Sequence, residues 1–144
     1  MSSKSKVCFF FEHKKFSLEN RSKLKKFIES LFRKENKKLT SLNYIFCTDT
    51  RLLEINRQFL KHNFYTDIIS FELSDTGNSQ GEIYISIDRV KENAKSLGIS
   101  FKSELLRVIF HGALHLCGFK DKSKAEKEKI RGKEDLYLGL YLRK

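Results

Sequence analysis

Two histidines four residues apart are followed by a carboxylate, in the run His111-Gly112-Ala113-Leu114-His115-Leu116-Cys117-Gly118-Phe119-Lys120-Asp121. Residues i and i+4 of a helix lie on one face, about 6 Å apart along the axis. Two imidazoles so placed can reach one ion at about 2.0–2.1 Å. Gly118 breaks the helix, and a chain leaving through a glycine turn folds back toward the same face, where Asp121 follows three residues later. Three ligands with a fourth position open is the arrangement of a catalytic metal, because a structural zinc site closes with a fourth side chain. The spacing therefore predicts one zinc ion on His111, His115 and Asp121. The competing reading is two core histidines and a solvated Asp121 between Lys120 and Lys122. Zinc peptidases of the His-Glu-x-x-His type place a general-base glutamate beside the first histidine. That position is Gly112, so the helix offers ligands without that base.

These residues need a scaffold, and its elements are readable from periodicity. Val7 to Glu12 reads as a buried strand, after an N-terminal stretch through residue 7 that looks frayed. Residues 18 to 34 carry Leu24, Phe27, Ile28, Leu31 and Phe32 at helical spacing, with Ser17 as the expected cap. Leu42 to Thr48 is a second strand. A helix capped by Asp49 or Thr50 follows, carrying Leu52, Leu53, Ile55, Asn56 and Phe59. Asp67 to Leu73 and Glu82 to Ser86 form a hairpin or near-hairpin around a polar loop at 74 to 80. Asp88 to Leu97 is a short helix closed by Gly98. Residues 101 to 117 form the most apolar helix. Ser123 and Glu126 make a capping box for a last helix reaching about residue 142. The expected fold is α+β: a single domain with a small mixed four-stranded sheet, about five helices, and the metal residues on a central helix.

The chain has 144 residues and a formal net charge of +11. This length suits one domain with its own core. No apolar run reaches the ~18 residues of a membrane span, and no small-residue cleavage site follows the short apolar stretch near the N-terminus. Three cysteines without framework spacing (Cys8, Cys47, Cys117) fit a reducing compartment. The expected location is cytoplasmic. The basic surplus favours a phosphate-bearing partner through counterion release, although a lysine-rich composition alone produces the same number. The Lys-rich run from Lys120 to Lys133 reads either as a solvated helix face or as an RNA contact beside the metal. His13 and His62 are expected at the surface, and Cys117 in the core.

Three blocks together resemble the YbeY family, metal-dependent single-strand-specific endoribonucleases of bacterial ribosomal RNA maturation. The family's helix and turn, His-Gly-x-Leu-His-Leu-x-Gly-Tyr-Asp-His, is matched in register by His111, Gly112, Leu114, His115, Leu116, Gly118 and Phe119. Its Leu-Asn helix is matched by Ile55-Asn56. Its two strand blocks are matched by Thr66-Asp67-Ile68-Ile69-Ser70-Phe71 and by Gly81-Glu82-Ile83. The resemblance implies an endoribonuclease with one zinc ion. It also implies single-stranded ribosomal RNA and the small ribosomal subunit as partners, in 16S 3′-end processing and ribosome quality control, with no membrane association. Residues 1–144 would then form a single metal-dependent endoribonuclease domain, with His111, His115 and Asp121 catalytic through the metal. Three departures stand out. Asp121 takes the place of the third histidine, Phe59-Leu60 replaces a Tyr-Arg pair, and Tyr65 replaces a proline. Arg57, Lys61 and Arg107 are the candidates to supply the missing positive charge, and Ser70 and Phe71 the candidates to line a cleft. A metal-dependent hydrolase of a peptide or amide, and a non-catalytic ribosome-assembly factor that uses the metal for folding, are the alternatives.

Overall fold

The computed structural model describes residues 5–73 and 77–143. Most of the N-terminal stretch expected to fray, and residues 74–76 of the expected polar loop, fall outside the described residues. The elements run β1 (Val7–Phe11), α1 (Arg21–Lys34), β2 (Leu39–Cys47), α2 (Asp49–Leu60), β3 (Ile68–Glu72), β4 (Ser79–Ser86), α3 (Ile87–Leu97), α4 (Phe101–Leu116) and α5 (Lys124–Leu142). The four strands form one sheet in the order β1-β2-β4-β3. β1 and β4 both run parallel to β2, while β3 pairs antiparallel with β4. The fold is thus an α+β domain with a mixed sheet, as the periodicity predicts. No helix among the described residues is long and apolar enough to cross a membrane.

Several local expectations are corrected. α1 begins at Arg21, and its cap is Asn20 in the left-handed region rather than Ser17. Asparagine tolerates that conformation, and the Asn20 carbonyl accepts the first helical bond from Leu24 N–H. α2 is capped by Thr48, whose side chain accepts from Arg51 N–H at 3.2 Å. Asp49 instead pairs with Arg89 at 2.6 Å, tying α2 to α3. β1 is an edge strand: Val7 is buried but Phe10 is exposed. β4 begins at Ser79, so the polar loop is shorter than read from the sequence. His13 is buried, not at the surface, because its Nε2 bonds Asp88 Oδ1 at 2.9 Å. The capping box of Ser123 and Glu126 is present as predicted, and Gly98, at φ 69°, closes α3.

α4 is the central element. One face packs on the sheet, where Tyr44 Oη donates to the Ile109 carbonyl at 2.8 Å. Glycine permits a close approach at two points along this contact. A Cβ at Gly112 would stand 2.8 Å from Ile83 Cδ1 and 3.0 Å from Ile68 Cδ1. A Cβ at Gly81 would stand 2.7 Å from the Phe71 carbonyl oxygen and 3.0 Å from Leu116 Cδ1. Helix and sheet therefore meet nearly backbone to side chain beneath His111 and His115.

These contacts predict opposite signs for two glycine substitutions. Gly81→Ala forces backbone or Leu116 to move and lowers stability by about 1–3 kcal/mol. Gly132→Ala, on α5 with open space around the added methyl group, raises stability by up to about 1 kcal/mol through helix propensity. Chemical denaturation of the two variants beside the parent protein measures both.

Candidate metal centre

The C-terminal turn of α4 and the loop after it bring the three predicted side chains together. His111 Nε2 and His115 Nε2 stand 3.0 Å apart. Asp121 Oδ2 lies 3.3 Å from the first and 3.2 Å from the second. Among the described residues, these are the three whose ligand atoms lie within 4.8 Å of one another. Donors on a tetrahedron of 2.0–2.1 Å radius are about 3.3 Å apart, so the spacing fits a shared ion.

Asp121 is held by structure on both sides. Gly118, at φ 104°, turns the chain, with its N–H on the His115 carbonyl and the Phe119 N–H on the Leu114 carbonyl. Phe119 then packs against the core. On the far side, Glu126 accepts from the Lys122 and Ser123 N–H groups at 3.2 and 2.9 Å and fixes the start of α5. With only Lys120 between Phe119 and itself, and Lys122 fixed next to it, Asp121 has little room to swing away.

A fourth residue, absent from the sequence reading, completes the arrangement. Glu134 on α5 is buried, and its Oε2 lies 2.6 Å from His111 Nδ1. Its Oε1 accepts from Arg107 at 3.1 Å, and Arg107 also pairs with Asp135 at 2.9 Å. A proton on Nδ1 for Glu134 leaves Nε2 of a neutral His111 as a bare lone pair. That lone pair faces His115 Nε2 and a carboxylate oxygen. One proton on His115 can satisfy only one of these two acceptors well, whereas a cation at the centre satisfies all three. The donor set therefore fits a metal ion. The sequence did carry a signal for Glu134. Ile130, Glu134, Tyr137 and Tyr141 are the buried positions of α5, at spacings of four, three and four. A carboxylate on such an apolar stripe needs a buried partner.

Electrostatics follow the same geometry. Burial disfavours charged His111, yet the hydrogen bond and charge of Glu134, with Asp121 and Asp67, outweigh it and raise its pKa. Asp67 is raised by its own burial, against the pull of His111 and a hydrogen bond from Asn93.

The three side chains border an open cleft of about 740 Å³. Its other walls include Asn56, Leu60, His62, Phe64, Asp67, Ser70 and Lys122. A smaller cavity of about 390 Å³ adjoins the cleft at Asp67, His111 and Asp121, with Glu104, Arg107, Lys127, Arg131 and Glu134 among its lining. Ser70 thus reaches the cleft. Phe71 packs edge-on against Tyr84 and Phe59 instead. Leu60 lines the cleft where the resemblance leads one to look for an arginine. Arg57 is held by Asn63 at 2.5 Å, Lys61 ends α2 in a left-handed conformation, and Arg107 is engaged by two carboxylates. His62 is exposed, and Cys117 is buried with its thiol pushed up to about 12, chiefly by burial.

Comparison with known proteins agrees with the resemblance. The family model described as Endoribonuclease YbeY matches residues 9–141. A protein of Cytophaga hutchinsonii named Endoribonuclease YbeY is 47% identical over 135 residues, covering 93% of this chain and 94% of the relative. One of the same name from Porphyromonas gingivalis is 37% identical, covering 93% and 89%. The solution structure of a Thermotoga maritima protein superposes with a TM-score of 0.63 at 29% identity, covering 94% of this chain and 91% of that one. With the matched region spanning nearly every element that builds the centre, this chain belongs to the YbeY family.

Proposed function

We propose that this chain is a single-strand-specific, metal-dependent endoribonuclease of ribosomal RNA maturation. In this reading residues 1–144 act as one catalytic domain in the cytoplasm, with one zinc ion on His111, His115 and Asp121. The small ribosomal subunit is the site of work, in 16S rRNA 3′-end processing and ribosome quality control. The observation that carries the reading is three converging ligand atoms, all within 4.8 Å of one another, on the wall of an open cleft of about 740 Å³.

Bound there, zinc supplies Lewis-acid polarisation of a phosphoryl oxygen or an activated water. The chain's own residues do the rest. His111 and His115 offer neutral nitrogens from one rigid helical turn. Asp121 adds a harder oxygen ligand and one negative charge. Glu134 fixes the His111 tautomer and ring plane, because its Oε2 accepts the hydrogen bond from Nδ1–H at 2.6 Å. Lys122 in the cleft, and Arg131 and Lys127 beside it, favour the phosphate backbone and charge developing on phosphorus oxygens. The peptidase alternative loses support at Gly112. Even a Cβ there meets Ile83 at 2.8 Å, so that position has no room for the glutamate of the His-Glu-x-x-His type.

Zinc analysis after dialysis, with cleavage of labelled single-stranded and duplex RNA, tests the assignment. Near one zinc per chain is expected in the parent protein, with preferential cutting of the single strand. His111→Ala and Asp121→Ala lose both metal and cleavage, while Asp121→His keeps the metal. A folded parent protein that takes up no divalent ion, or that carries metal and leaves single-stranded RNA intact, overturns the proposal.

Glu134→Gln weakens zinc affinity by about 10- to 100-fold without unfolding α5, as competition with a chelator reads directly. Acid acts on the same equilibrium, since ligand nitrogens must be deprotonated to bind. The raised pKa of His111 means protons compete already at a pH above that of an ordinary histidine. Zinc uptake by the parent protein therefore falls as pH drops through that range and recovers as it rises.

A further inference from the structure

The segment joining α2 to β3, residues 61–67, exposes large apolar side chains although polar contacts hold it tightly. Lys61 takes a left-handed conformation at φ 60°. The His62 N–H bonds the Asn56 carbonyl at 3.1 Å. Asn56, 1% exposed, sends its Nδ2 to the Phe64 carbonyl at 2.8 Å. Arg57 holds Asn63 at 2.5 Å, and Arg89 lies over the Tyr65 ring at 5.0 Å. A segment anchored at so many points has its side chains placed by design of the backbone. Yet Phe64 is 56% exposed and Leu60 40%, and neither is folded into the core.

Two of the segment's exposed rings, those of His62 and Phe64, face one place, while the Tyr65 ring lies under Arg89. The His62 and Phe64 rings stack, with centroids 5.1 Å apart and planes at 20°. Both line the 740 Å³ cleft that ends at His111, His115 and Asp121, as do Leu60 and Lys122. A continuous apolar protein interface is not what this wall offers. Thr66, Asp67 and Lys122 interrupt it, and the chain's charge of +11 favours a polyanion. A pair of flat rings on the wall of a cleft in a strongly basic chain is the equipment for unpaired bases, since every base has a π-face and aromatic stacking tolerates sequence.

We infer that the stacked His62–Phe64 pair is a base-stacking subsite for a single-stranded nucleic acid whose backbone runs through the cleft past the metal centre. The inference rests on the endoribonuclease reading for the identity of the cleft's occupant. It assigns residues of the cleft rim that the metal chemistry does not use. It also assigns this chain a means of holding the strand where Leu60 leaves no cationic side chain: ring stacking and the apolar Leu60 surface take over part of that anchoring. A duplex hides its base faces from such a platform, so the subsite also favours single strands.

Equilibrium binding to the zinc-loaded protein tests the subsite, using two fluorescent 2′-deoxy oligonucleotides of equal length. One carries ordinary bases and one is abasic over its central residues, so that the backbone charge is the same. Phe64→Ala is expected to weaken binding of the first about five- to a hundredfold and to leave the second unchanged, with Phe64→Trp restoring affinity. His62→Ala gives a smaller loss in the same direction. An unchanged thermal midpoint in Phe64→Ala shows the segment intact, as the exposure of this ring leads one to expect. Equal weakening of both oligonucleotides, or of neither, overturns the subsite, and in the second case the patch is left to a protein partner. RNA cleavage by the parent protein is scored separately. Base-dependent binding without cleavage removes the nuclease reading and keeps the subsite, while cleavage with base-independent binding does the reverse.

Discussion

The close seating of α4 on the sheet is the constraint on which the rest depends. At Gly112 the helix lies against Ile83 and Ile68 with no space for a side chain, and at Gly81 the strand lies against Leu116 in the same way. Tyr44 pins the same helix through the Ile109 carbonyl. A helix so held cannot roll about its axis. With Gly112 down on the sheet, His111 and His115 are turned toward the cleft side, and their distance from each other is set by one helical turn. The precision a metal site needs thus comes from van der Waals contacts beneath it and does not rely on the ligands themselves.

Around that fixed helix, the remaining parts of the centre are each tied to a different local device. Gly118 and Phe119 turn the chain, the capping box at Ser123 and Glu126 restarts it, and Asp121 is carried between them. α5 then brings Glu134 back to His111 from twenty-three residues further along. Glu134 is buried and shared between His111 and Arg107, and Arg107 is in turn shared with Asp135. A buried carboxylate is costly unless paired on both oxygens, and this one is. The pairing joins α4 and α5, so the ring orientation of His111 and the docking of the C-terminal helix depend on one another.

Much of this was legible from the chain itself. His111 and His115 announce themselves by spacing, and Asp121 by its distance past a helix-ending glycine. Sheet strands, the β3–β4 hairpin and the capping box of α5 follow from alternation and turn residues. What escaped is what long-range pairing decides. Ser17 and Asn20 are both acceptable caps locally, and the packing of α1 chose Asn20. Asp49 looked like a cap until Arg89 on another helix claimed it. His13 has polar neighbours in sequence but meets Asp88 seventy-five residues away, and this buries it. Glu134 directly follows the lysine-rich run Lys120 to Lys133, which reads either as a solvated face or as an RNA contact, and only its place on the Ile130–Tyr141 stripe gives it away. Gly112 was read as the loss of a catalytic base, whereas its structural reason is the lack of room above Ile83.

The departures of this chain from its family's pattern form a coupled set. Replacing a third imidazole by the Asp121 carboxylate takes one unit of positive charge out of the centre whatever dication fills it. Replacing arginine by Leu60 removes another from the cleft wall. Both changes weaken the pull on a phosphate at the place where it is most needed. The compensation visible in the chain is of two kinds. Lys122 stands in the cleft beside Asp121, and Lys127 and Arg131 line the adjoining cavity, so cationic side chains remain near the centre while its own charge falls. The aromatic pair at His62 and Phe64 adds a form of attraction that salt does not screen, because stacking acts on bases and not on phosphates. A cleft built this way holds its strand less by charge at the reacting phosphate and more by contacts on either side of it.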